Sequence, residues 1–249
     1  MPMDYSELRL SNKDRAVYFV GVMSIGMSIG MLFYDSALVG AALCVIIGCL
    51  GLDSYKEGKK QKRRAELLLQ FRDLLYSISA SVSSGRSMRT ALEEAREFCS
   101  ATYEKEDYIM KELEYMQQKL ENGNQTAASV LWDFAKRSGI DDIEDFAQVY
   151  ESCKTSGGDL KSAIGRATSL IGDKLELEGE LKGLLAQKLF EGRIVGIAPF
   201  AVVFMIKLTA PEYMEVMTAT KQGFFITSLS LLLMGVAVWM TERIHKIEI

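Results

Sequence analysis

Long uncharged apolar runs constrain this chain more than any other feature. Residues 16–34, "AVYFVGVMSIGMSIGMLFY", hold 19 positions without a charge, and after Asp35 residues 36–52 add 17 more. A second pair lies towards the C-terminus. Residues 194–206 are uncharged, Lys207 and Leu208 lengthen that run if the lysine snorkels, and residues 222–240 supply 19 further uncharged positions. A helix of about 20 apolar residues crosses a bilayer. The expectation is therefore about four transmembrane helices, 16–34, 36–52, 194–208 and 222–240, in two hairpins at 16–52 and 191–241. Tyr18, Phe19, Phe33, Tyr34, Phe224, Phe225 and Trp239 sit near the run ends, as interfacial aromatic belts do. A cleaved signal peptide is the competing reading of the first run. The length of that run, and a second run after a single Asp with no small-residue cleavage signature, argue against it.

Charge sets the orientation. Lys56, Lys59, Lys60, Lys62, Arg63 and Arg64 crowd just beyond the second run. The tail 1–15 carries Arg9, Lys13 and Arg15, and the tail 242–249 carries Arg243 and Lys246. Lys and Arg accumulate on the cytoplasmic side, so both termini and the middle of the chain are expected there, in a multi-pass protein of a cell membrane. Cys44 and Cys49 fall in a span, Cys99 and Cys153 in the cytoplasmic part. With no C-x-x-C pair, four reduced thiols are expected.

Between the hairpins, residues 53–190 read as a helical domain. Leu68, Phe71, Leu75, Ile78 and Val82 recur three and four apart and form one helical stripe. Further helices fit at 87–101, 105–121, 126–138, 141–156 and 159–190, with breaks at Gly85, Asn122–Gly123, Ser138–Gly139 and Gly157–Gly158. No proline and no alternating β pattern occur there. The fold class is all-α: membrane helices plus a cytoplasmic six-helix antiparallel bundle. The last helix reads without a break into the third span.

The stretch "TSGGDL" at 155–160 tests for a phosphate loop. Such a loop needs backbone N–H groups at a helix start, a lysine and a hydroxyl; here the glycines lead into Asp159, and no G-K-[ST] follows. Punctuation fits better: Gly157 or Gly158 takes the left-handed conformation after one helix, and Asp159 caps the next. The same punctuation recurs at an offset of 72 residues, where "SSGRSMRTALEEA" (83–95) echoes "TSGGDLKSAIGRA" (155–167). A weaker third copy, "NGNQTAASVL", keeps Gly123, Thr126, Ser129 and Val130 in step. The expected structural turns are thus Gly85, Gly123, Gly157, Gly158 and Asp159. In the first span, Gly26 and Gly30 form a G-x-x-x-G pair for close helix–helix approach. It serves either the neighbouring span of the same chain or a second chain.

Residues 66–190 carry 22 acidic and 15 basic side chains, a balance that disfavours nucleic acid, which wants a basic stripe. The densest acidic spot is "DDIED", with Asp141, Asp142, Glu144 and Asp145. These are either helix-N-terminal acids favoured by the macrodipole or a docking edge for a basic partner. Chemistry is scarce. His245 is the sole histidine, and G-x-S-x-G, G-x-G-x-x-G and H-E-x-x-H are absent. No enzyme activity, cofactor or metal is expected.

The turns "S-G-x-x-Φ-x-x-A-Φ" at Gly85 and "S-G-G-x-L-x-x-A-I" at Gly157, with the long helix entering "GRIVGIAPF", resemble the repeated signature of the type II secretion F domain over about residues 66–240. That family comprises the inner-membrane platform proteins of type II secretion, type IV pilus and tight-adherence (Flp) pilus machines. Larger members look duplicated, whereas this chain has one bundle between two hairpins and is similar to the shorter tight-adherence platforms. The resemblance implies a non-enzymatic scaffold that links a cytoplasmic assembly ATPase to extraction of pilin subunits, and that works with a second copy or a paralogue. The alternative is a small transporter or channel with a regulatory bundle. Ser24, Ser28, Thr227, Ser228 and Ser230 would then line its path, although such serines more often assist helix packing.

Overall fold

The computed structural model describes residue 5 and residues 12–122, 125–212 and 220–247. All regular structure among them is helical: α1 Asn12–Tyr34, α2 Ala37–Ser83, α3 Met88–Ser100, α4 Tyr108–Asn122, α5 Ala127–Ser138, α6 Asp141–Ser156, α7 Leu160–Thr209 and α8 Lys221–Ile247. The chain divides into two compact units. One contains residue 5 and Tyr55–Gly179; the other contains the described parts of residues 10–54 and 180–249.

The first unit is built on α2. Leu68, Phe71, Leu75, Ile78 and Val82 are all buried, and Leu67 and Leu74 widen the stripe so that it meets helices on two sides. Phe71 sits at its centre, 5.8 Å from the ring of Phe134 on α5 and 5.6 Å from that of Phe146 on α6. Leu92, Ile109, Leu113, Met116, Leu131, Ile143 and Ile164 close the core from α3 to α7. Each such side chain removed from water stabilises the fold by about 1.5–3 kcal/mol. Cys99 is also in the core, and all four cysteines are free. Burial first, and then the charge of Asp73, push the Cys99 thiol up to about 11.

The second unit joins α1 to the beginning of α2 through a turn at Asp35, whose φ of 48° is left-handed. Its apolar side chains point outward: Leu38 is 85% exposed and Val195 71%. Lys13–Tyr34 and Leu160–Thr209 are long and apolar enough to cross a membrane, and α2 makes a third candidate if Ala37–Cys49 and Gly51–Ser83, bent by 45°, count as one span. Lys221–Ala237 is a shorter apolar stretch within α8. The described residues therefore carry two or three such helices where the apolar runs alone suggest four. Two of the elements are also longer than the runs imply. The helix that begins at Ala37 continues to Ser83, and the one that begins at Leu160 continues to Thr209 through Pro199. Proline deprives the carbonyl of Val195 of its donor, a loss that neighbouring helices and local adjustment make tolerable in membrane helices.

Candidate interaction surfaces

The two echoed turns have one geometry. After α2, Gly85 takes φ 82°, and its N–H donates to the carbonyl of Val82 at 2.9 Å. Ser87 then caps α3, its hydroxyl accepting from the N–H of Thr90 at 3.3 Å. After α6, Gly157 takes φ 69° and ψ 21°. Of the two candidate glycines it is Gly157, not Gly158, that turns left-handed. Asp159 caps α7 by accepting from the N–H of Ser162 at 3.2 Å. The offset of 72 thus lays Gly85 on Gly157, Ser87 on Asp159 and Thr90 on Ser162. The turns are also neighbours in space, since Lys161 Nζ donates to the carbonyl of Ser83 at 3.4 Å. Gly123 lies outside the described residues. Thr126 caps α5, accepting from Ser129 N–H at 3.3 Å, but it follows its glycine by one residue more than Ser87 follows Gly85, so the third copy is out of step.

Gly139 is a left-handed turn that the echo does not include. It closes α5 at φ 59°, and a Cβ there would overlap Arg64 Nη2. Arg64 belongs to the basic cluster that sets orientation, and nothing local in the sequence ties it to a glycine 75 positions away.

The acidic spot is split by the fold. Asp141, Asp142 and Glu144 occupy the first turn of α6, where Ile140 offers no side-chain cap and negative charge is favoured. Asp142 turns to α7 and accepts from Lys174 Nζ at 2.7 and 3.0 Å. That hydrogen bond raises the lysine's pKa. Asp141, Glu144 and Asp145 remain exposed to solvent.

A polar slot between α2, α4 and α5 holds the aromatic ring of Tyr5. Glu112 on α4 is 1% exposed. Arg137 Nη1 donates to its Oε1 at 2.8 Å, and Nη2 lies 2.7 Å from Oε2. Arg137 Nε also donates to Asp133 at 3.0 Å, and the guanidinium stands 4.9 Å from the centre of the Tyr115 ring. Tyr5 completes the arrangement. Its hydroxyl donates to Glu112 Oε1 at 3.1 Å and its backbone N–H to the carbonyl of Arg137 at 2.9 Å. The ring meets Tyr108 edge-on at 5.7 Å. Arg63 lies 6.0 Å from the Tyr5 ring centre and 5.7 Å from that of Tyr108. Burial, and then the Glu112 charge, raise the Tyr5 pKa. The sequence offers no signal for this slot beyond an aromatic residue in the N-terminal tail.

The family model for type II secretion system (T2SS) protein F matches residues 74–207, more than half of the chain. The chain belongs to this family. No curated protein and no solved structure matches significantly. The F-domain match begins within α2 and ends at Lys207, so it contains both echoed turns, the acidic spot and the passage of α7 into its apolar stretch. Tyr5, Arg63, Arg64 and the whole of α1 lie outside it.

In this F-family protein the G-x-x-x-G pair serves the chain's own hairpin. A Cβ on Gly26 would run into Cys44, and one on Gly30 into the Cα and N of Gly40, so both glycines are occupied by α2. The far end of the hairpin is fastened to the later helices. Lys207 donates to Asp35 Oδ1 at 2.8 Å and to the carbonyl of Met31 at 2.6 Å. The hydroxyls of Tyr34 and Ser228 are 2.8 Å apart, and Phe33 meets the ring of Phe200 at 6.0 Å. Among the described residues no three of His, Cys, Asp and Glu come together as a metal site.

Proposed function

We propose that this chain is a non-enzymatic inner-membrane platform protein of a tight-adherence-type (Flp) type IV pilus or a type II secretion machine. Its helical domain faces a cytoplasmic assembly ATPase, and its membrane helices, four in all with both termini inside, guide pilin subunits out of the bilayer. One observation carries the reading. Within a chain of the F family, α7 runs without interruption from a packed core residue, Ile164, to apolar positions such as Val195 that are turned outward. A continuous helix offers a force applied to the domain a covalent path into the apolar segment. With one domain per chain, the platform is completed by a second copy or a paralogue. The transporter reading gains nothing from Ser228, whose hydroxyl is engaged by Tyr34 and by the carbonyl of Phe224.

Deletion of the chain is expected to abolish pili or secretion while the purified ATPase still hydrolyses ATP. Pili assembled at normal levels without it would sink the proposal. A reporter active only outside the cytoplasm should be silent when fused after Ile249 and active when inserted at residues 212–215. The reverse pattern would overturn the topology.

A further inference from the structure

We propose that the lysines at the start of the domain, Lys56, Lys59, Lys60 and Lys62, bind the headgroups of anionic phospholipids in the membrane that α2 enters. The inference rests on the reading that the apolar part of α2 crosses that membrane.

The fold divides the basic cluster. Residues 53–64 carry six basic and two acidic side chains, and from Tyr55 onward they belong to the domain unit. Two of the six cations are turned to the domain. Arg63 stands 5.7 Å from the centre of the Tyr108 ring, and Arg64 Nη2 fills the space beside Gly139. The lysines are placed differently. Lys62 is exposed, and Lys56, Lys59 and Lys60 are half-buried. Among the described residues no carboxylate pairs with Lys60 or Lys62. Lys59 Nζ lies 5.9 Å from the centre of the Tyr55 ring, an aromatic of the kind that marks a membrane interface.

Helix geometry sets their depth. The uncharged run ends at Leu52, and α2 then rises about 1.5 Å per residue, which puts Lys56 about 6 Å and Lys62 about 15 Å farther along it. The headgroup layer is about 5–7 Å deep, and salt leaves a charge felt for about 8 Å more. All four lysines therefore fall where anionic headgroups attract them, by about fivefold in affinity for each.

Charge complementarity selects the sign of the lipid. Residues 66–190 carry 22 acidic and 15 basic side chains, so an anionic surface repels the rest of the domain and the attraction is concentrated at these lysines. Their other use, orienting the chain during insertion, ends once the chain is inserted. Headgroup binding persists in the finished protein.

Native mass spectrometry of the full-length protein in detergent, titrated with dioleoyl phosphatidylglycerol or dioleoyl phosphatidylcholine, tests it. Phosphatidylglycerol should be retained more tightly. Lys60→Gln combined with Lys62→Gln should weaken its binding by about fivefold for each lysine, about 25-fold together. Phosphatidylcholine binding should not change, and arginine at both positions should restore the parent affinity. Lys62→Gln alone, at an exposed position, should show one step of that loss with no change in thermal unfolding. Millimolar inorganic phosphate should not displace the lipid. Equal retention of the two lipids would overturn the inference, as would a phosphatidylglycerol affinity indifferent to the glutamines. Displacement by phosphate would make this a site for a soluble anion and overturn it too. Early melting of the glutamine variants with lipid binding intact would instead assign the lysines to the fold. Alkaline extraction of the parent protein from phosphatidylcholine vesicles keeps the two readings apart. A protein that resists extraction but shows no lipid preference fails the headgroup inference alone, whereas one that is extracted fails the membrane reading as well.

Discussion

The two units use the same residue types in opposite ways. In the domain of residue 5 and Tyr55–Gly179, Leu74, Leu75, Ile78 and Leu113 are sealed from solvent by helices of the same unit. In the other, Val20, Leu38, Val195 and Leu208 face outward. The first has satisfied its apolar surface internally and is held by exclusion of water. The second presents that surface to its surroundings, as a member of an inner-membrane family does, and lipid tails give its helices no comparable reason to associate. What holds it is close approach, at Gly26, Gly30 and Gly40, and a few polar fasteners such as Lys207 to Asp35. A leucine is thus worth most in one unit and a glycine most in the other.

Substitutions can sharpen that contrast or break it. The largest effect is expected from Phe71→Ala, which removes the ring between Phe134 and Phe146 and should lower the domain's stability by about 3–5 kcal/mol. Thermal unfolding of the full-length protein reads it. Gly30→Leu should leave that unfolding unchanged and instead prise α1 from α2. Oxidative crosslinking between Val22→Cys and Gly48→Cys, which face each other in the parent, would fall sharply; crosslinking at the parent level would show that the hairpin does not rely on glycine.

Alkaline pH should act on the domain. The Cys99 thiol is raised by burial from 9.0 to about 11, and Tyr5, Tyr103 and Tyr150 are raised too, each by burial first. For an acid whose folded pKa lies above its unfolded value, the stabilising contribution is complete below the unfolded pKa and is lost as pH climbs to the folded one. Stability should therefore decline between about pH 9 and 11. Cys99→Ala, measured by the same melts, should flatten part of that slope by at most about 2–3 kcal/mol.

The smallest predicted effects separate two left-handed glycines. Gly157 has open space where a Cβ would go, so Gly157→Ala should cost only the backbone term, about 1 kcal/mol. Gly139→Ala should cost about twice that, because the methyl must also displace Arg64. Equal losses in denaturant titrations would mean that Arg64 yields freely.

What was legible in the sequence was local. The α2 stripe, the cap at Asp159 and the stop at Gly157 follow from spacing and side-chain chemistry within one or two helical turns, and the echo at 72 residues reports one turn built twice. What was not legible depends on pairs distant in the chain. Tyr5 finds Glu112 at a separation of 107 residues, and Arg63 and Arg64 leave a cluster that reads as topology to serve Tyr5 and Gly139. The G-x-x-x-G pair declares close approach but not to what; only the fold assigns it to Cys44 and Gly40. Of the four apolar runs, the described residues show two or three as helices long and apolar enough to cross a membrane.

The helices that pass from one unit to the other also restrict how this protein can change length over generations. A loop absorbs an inserted residue, but α2 and α7 pass from one unit to the other with no loop to absorb it. One residue added to either advances everything beyond it by 1.5 Å and rotates it by about 100°. An apolar face of that helix would be turned away from the residues it packs against within its own unit. Length variants that persist should therefore come in near-whole turns, a ratchet on the gene imposed by the pitch of the α-helix.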